Sequence, residues 1–136
     1  MEIQEMLIKK YKNKKGNDIM TLENVMKLNN FVVVGNTVNE EKYAYKIKEG
    51  LINAGYKVEC VGKELASIND VKMEIDVLDL CINPNLGIKL LEENNKNVKV
   101  VIIQPGAESA EIIAFLRANN IDFIEGCLLL ALSLYK

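Results

Sequence analysis

Apolar residues in this 136-residue chain alternate between short runs rich in valine and isoleucine and stretches where they recur every three or four positions. The first pattern predicts strands, since a strand covered on both faces reads as a nearly continuous apolar run. By it, strands span about 31–35, 56–61, 75–82, 98–103 and 121–124. The second pattern predicts helices between them. One covers 41–54, with Ala44, Ile47, Leu51 and Ile52 inward and Gly55 as its stop. Another starts at Pro84, a residue suited to a first helical position, and carries Leu86, Leu90 and Leu91. A third covers about 108–118, and a last apolar helix follows Gly126. Upstream, Ile3, Met6, Leu7 and Tyr11 predict a helix over 1–13 that ends in the turn-like Lys14–Asn17. Thr21 then suits the N-cap of a short helix bearing Leu22, Val25, Met26 and Leu28.

Strands that alternate with helices of this length form βαβ units, whose right-handed crossovers build a parallel sheet with helices on both faces. The expected fold is α/β, a Rossmann-like three-layer doubly wound sheet of five strands in the order 3-2-1-4-5. Residues 20–136 make that domain, and residues 1–19 form an N-terminal helical extension. The order puts the topological switch point between strands 1 and 4, where ligands bind beyond the carboxyl ends. Gly35, Gly62, Gly106, Gly126, Pro84 and Pro105 all fall just after expected strands and so share that rim.

Composition narrows the chemistry. A net charge of −2 argues against a nucleic-acid partner, which calls for a basic surface. No apolar run approaches the ~20 residues that span a bilayer, and charges interrupt the N-terminal apolar residues where a signal peptide has none. Cys60, Cys81 and Cys127 are widely spaced and outside any metal pattern, which fits reduced thiols and a cytoplasmic location. Histidine is absent, which removes the commonest general base and metal ligand. Asp76 and Asp79, three apart on one strand, point to opposite faces and cannot act as a catalytic pair. The apolar run from Cys127 to Leu134 either completes the core or meets a second subunit in a homodimer.

The rim itself begins at Phe31–Gly35, an apolar strand ending on a glycine before a helix whose first N–H groups favour an anion. A dinucleotide fingerprint would need two further glycines and an acid at the end of strand 2; here Asn36 and Thr37 follow Gly35, and Glu59 comes too early. Gly35-Asn36-Thr37 resembles a flavodoxin phosphate loop, but Val33 and Val34 stand where that loop has hydroxyl residues. A flavin- or nucleotide-dependent enzyme is therefore an alternative reading, and a Rossmann-like interaction domain that has lost its ligand is another.

The fuller likeness runs from Val32 nearly to the C-terminus. Val34-Gly35-Asn36-Thr37-Val38-Asn39, then Lys42, Tyr45 and Gly55-Tyr56-Lys57-Val58, follow the first βαβ unit of the bacterial CoA-binding domain family in register. Lys42 stands at the family's arginine and Ala44 at its serine. Asp76, Asp79 and Pro84 match its D-x-x-D and proline, Gln104-Pro105-Gly106 its Q-x-G, and Cys127 its cysteine before the last helix. The chain thus resembles these small stand-alone Rossmann-like proteins, related to the nucleotide domain of succinyl-CoA synthetase α subunits. The resemblance implies non-enzymatic binding of coenzyme A or an acyl-CoA. It implies a phosphate loop of Gly35, Asn36 and Thr37, charge from Lys42, closure by Tyr45, and Pro84, Gln104 and Gly106 along the pantetheine arm or pyrophosphate. Val61, Gly62 and Lys63 fall where the family's P-V-N-P holds the adenine. With no acid ending strand 2, Lys63 would favour the 3′-phosphate of CoA.

Overall fold

Valine and isoleucine pack well on a pleated surface, and each run of them becomes a strand. The structure, a computed structural model, describes residues 20–136; the helix expected over 1–13 and the extension 1–19 lie outside the described residues. Thr21 caps α1 (Leu22–Val25) by accepting the Asn24 N–H at 3.2 Å. The chain continues through β1 (Asn30–Gly35), α2 (Tyr43–Asn53), β2 (Lys57–Gly62) and a 3-10 turn (Ile68–Asp70). It ends with β3 (Ile75–Cys81), α3 (Pro84–Glu93), β4 (Val98–Ile103), α4 (Ala110–Ala118), β5 (Asp122–Glu125) and α5 (Leu128–Tyr135).

All five strands pair in parallel, but in the order β2-β1-β3-β4-β5 rather than 3-2-1-4-5. The reason is burial. Ile75 to Leu80 of β3 are all buried, so β3 needs a neighbour on each side and takes the centre between β1 and β4. β2 carries the charged Lys57 and Glu59 and belongs at an edge, where the Glu59 carboxylate accepts the N–H groups of Lys72 and Met73. The switch point therefore lies between β1 and β3.

Two apolar layers flank the sheet. Val25, Ala44, Ile47, Leu51, Leu128 and Ala131 bring α1, α2 and α5 onto one face. Ile68, Leu91, Ile112 and Leu116 bring the 3-10 turn, α3 and α4 onto the other. Residues 128 and 131 of the last helix complete the core, while Leu130 and Leu134 remain exposed. No helix among the described residues is long and apolar enough to cross a membrane.

Candidate functional site

Three strand ends meet at the switch point without side chains between them. Gly35 pairs with Gly62 on one side and Cys81 on the other. A Cβ on Gly35 would lie 2.2 Å from the Cys81 carbonyl oxygen, and one on Gly62 would lie 2.7 Å from the Gly35 oxygen. Only glycine allows this approach. The rim is thereby left as bare backbone under whatever lies across it.

The loop above is held from within. Asn36 Oδ1 accepts the N–H groups of Val38 at 3.2 Å and Asn39 at 3.0 Å, the place an anion's oxygen would take. The α2 helix then begins after Lys42, which is exposed and makes no side-chain cap, and no side chain among the described residues caps the first turn. Tyr45 is half-buried, with the Lys48 ammonium 5.3 Å from its ring centre. Exposed apolar groups border the same rim: Val38 on the loop, Tyr43 at the start of α2 and Leu86 at the start of α3.

Gly35, Asn36, Lys42, Gly62, Lys63, Pro84 and Gly106 all lie at the carboxyl ends of the strands or in the turns just beyond. Three expected contacts turn away from it. Val61 is fully buried in the core. Thr37 is fully buried, its hydroxyl donating to Glu64 Oε2 at 2.5 Å instead of facing a pyrophosphate. Gln104 is buried too, with Nε2 donating to Asp79 Oδ1 at 2.6 Å instead of bordering a pantetheine arm. Val61 and Gln104 lie at the ends of β2 and β4 and Thr37 in the loop after β1, and each side chain is turned inward.

Two clusters escaped the sequence pattern. Glu64 Oε2 also accepts from Lys48 Nζ at 3.3 Å, while the same ammonium donates to the Thr37 carbonyl at 3.1 Å. The hydrogen bond from Thr37, then those from Lys48 and Cys60, hold the Glu64 carboxyl below its usual range against the effect of burial. An acid thus does stand just past β2, two residues after Gly62, where none was expected. No periodicity would have announced it, because the partners come from separate elements.

The second cluster is Asp79, wholly buried, with Oδ2 lacking a hydrogen-bond partner among the described residues. Burial raises its pKa to about 7, although the Gln104 hydrogen bond works in the opposite direction. Burial likewise pushes the Cys60 thiol up to about 11 and the Cys81 thiol up to about 12, the latter aided by Asp79 and Cys127. Neither thiol is an activated nucleophile. Among the described residues, hollows of about 450 and 440 Å³ lie at the opposite end of the sheet, around the Asn94–Val98 connection, and one of about 320 Å³ lies along β2, lined in part by Lys48, Cys60 and Glu64. The rim is an open shelf, suited to an extended ligand lying along it.

The family model of the CoA binding domain matches residues 29–133. The chain belongs to the CoA-binding domain family. Among solved structures it is similar to a conserved hypothetical protein of Pyrococcus furiosus, at 23% identity over 76% of this chain and 98% of that one, with a TM-score of 0.66. A Thermus thermophilus protein shares 18% identity over 86% of this chain and all of its own, with a TM-score of 0.72. A protein described as redesigned for binding shares 19% identity over 88% and 94% of the two chains, with a TM-score of 0.73. At these identities the likeness is one of fold. No protein among the curated ones matches the chain.

Proposed function

We propose that this domain binds coenzyme A or an acyl-CoA across the β1–β3 switch point and catalyses no reaction on it. The observation that carries the reading is the start of α2. Its first turn has no side-chain cap and opens beside the bare strand ends Gly35 and Gly62, with Lys42 exposed at the cap position. A pyrophosphate there gains the helix's N-terminal field and a point cation. Val38, Tyr43 and Leu86 offer apolar contact to the adenine and the pantetheine arm. The absence of histidine and the raised thiols Cys60 and Cys81 support binding rather than catalysis.

Mass spectrometry of small molecules released from the purified protein, followed by calorimetry with CoA, tests this. A CoA-type molecule and a saturable, salt-sensitive isotherm are expected; a flavin or NAD instead would overturn the reading. One feature favours a second outcome, a domain without a nucleotide. Asn36 already occupies the Val38 and Asn39 N–H groups that a phosphate would use. Absence of any released ligand, together with a flat calorimetric trace, would select that outcome.

A further inference from the structure

A nucleotide on a doubly wound sheet lays its adenosine ribose from the first β–α turn towards the end of the second strand. The group fixed at that strand end meets the ribose. In this chain that group is Glu64. β2 ends on Gly62, beside Gly35, and the chain doubles back at once: the Gly62 N–H donates to the Leu65 carbonyl at 2.7 Å, and the Leu65 N–H to the Cys60 carbonyl at 3.1 Å. The turn holds residues 63 and 64 just past the rim, and Thr37 and Lys48 then fix the Glu64 carboxylate against the first loop. The side chain nevertheless stays 42% exposed.

Lys48 offsets part of the Glu64 charge, but from the more buried side of the pair, so the carboxylate is the member turned to solvent. Lys48 is committed to Glu64 and to the Thr37 carbonyl, and its side chain is only 18% exposed. Lys63 is exposed, and no ion pair among the described residues holds its ammonium. Recruiting it to a phosphate would cost the freedom of a long side chain. The fixed group is an acceptor with a negative charge. A ribose diol can donate to it, whereas a phosphate dianion can only repel it.

We propose that Glu64 reads the ribose, accepting the 2′- and 3′-hydroxyls and disfavouring a 3′-phosphate, so that the site takes the dephospho form of its ligand in preference to CoA itself. The proposal rests on the reading of the rim as a CoA-type site and reverses the preference that Lys63 alone would give. The Thr37–Glu64–Lys48 clasp makes the carboxylate a rigid discriminator rather than a mobile surface acid.

Calorimetry of the full chain with dephospho-CoA and with CoA, at one ionic strength, tests it. Dephospho-CoA should bind at least about fivefold more tightly, a difference of about 1 kcal/mol. Glu64→Gln, which keeps an acceptor for Thr37 without the charge, should bring the ratio to near one or invert it. Equal or tighter binding of CoA by the unmodified protein would overturn the proposal, as would an unmoved ratio in a folded Glu64→Gln protein. Should that variant fail to fold, the unmodified protein decides by itself, and Glu64→Asp, whose carboxylate is drawn back by one methylene, should narrow the ratio. Binding of neither nucleotide would overturn the CoA reading of the rim and this proposal with it; binding of CoA alone would overturn only the role of Glu64.

Discussion

Asp79 holds its proton more tightly in the folded protein, at a pKa of about 7, than an unfolded aspartate does near 3.9. Between those values the native state binds more protons than the unfolded state, so stability falls as pH rises, by up to ~1.4 kcal/mol per pH unit. Asp76 and Glu64, with depressed pKa values, act the other way, and only as pH falls below their ordinary values of 3.8 and 4.5. Melting temperatures should therefore drop from about pH 5 to about pH 7 and then level. Asp79→Asn keeps the acceptor for Gln104 but loses the charge, and should melt higher at pH 8 with a flatter profile; identical slopes in the two proteins would show that Asp79 stays ionised. Glycine positions also separate at this scale. Gly35→Ala drives a Cβ into the Cys81 carbonyl and should cost roughly 1–3 kcal/mol or prevent folding, so lost binding there would report the fold rather than contact with a ligand. Gly106 has φ +92° but open space around it, so Gly106→Ala should cost only about 1 kcal/mol and leave a folded protein for binding assays. Chemical denaturation of the two variants checks the contrast. In the sequence both residues read alike, as glycines after strands; which one the fold requires depends on a carbonyl about 46 residues away.

Among elements, the strands and helices were legible because their signals are local: β-branched runs, Thr21 and Pro84 at helix starts, Gly55 at a helix end. Strand order is not local, and the expected 3-2-1-4-5 failed for that reason. The charges of Lys57 and Glu59 already marked β2 as an edge, and the unbroken burial of β3 marked a centre, but alternation alone does not weigh one strand against another. The same limit explains the site. Rim backbone could be located from strand ends, whereas the inward turns of Thr37, Val61 and Gln104 depend on which layer each side chain enters. The start of α2 remains the element that would gather phosphate. Lys42→Ala removes an exposed cation without touching the core, and should leave the melting temperature unchanged while weakening CoA-type ligands by about 0.5–2 kcal/mol. Unchanged affinity in calorimetry would move the pyrophosphate elsewhere along the rim.

At the scale of the whole molecule, described residues build both apolar layers, and Val25 of α1 and the following Met26 reach the core. Met20 and Leu22 pack against the same layer. The family match begins at residue 29 and so covers neither residues 1–19 nor α1. One surface complicates this: Leu130 and Leu134, one turn apart on α5, are 54% and 62% exposed. Exposed leucines are ordinary on monomeric proteins. A chain that begins at Met20 should therefore unfold in one cooperative transition and keep the ligand preference of the full chain. Thermal unfolding followed by circular dichroism, paired with calorimetry, measures both. Loss of the cooperative transition would show that residues 1–19 contribute packing to the core; a retained transition with altered affinity would assign them to the ligand. Self-association of the shortened chain, absent in the full one, would instead identify the α5 face as what those residues shield.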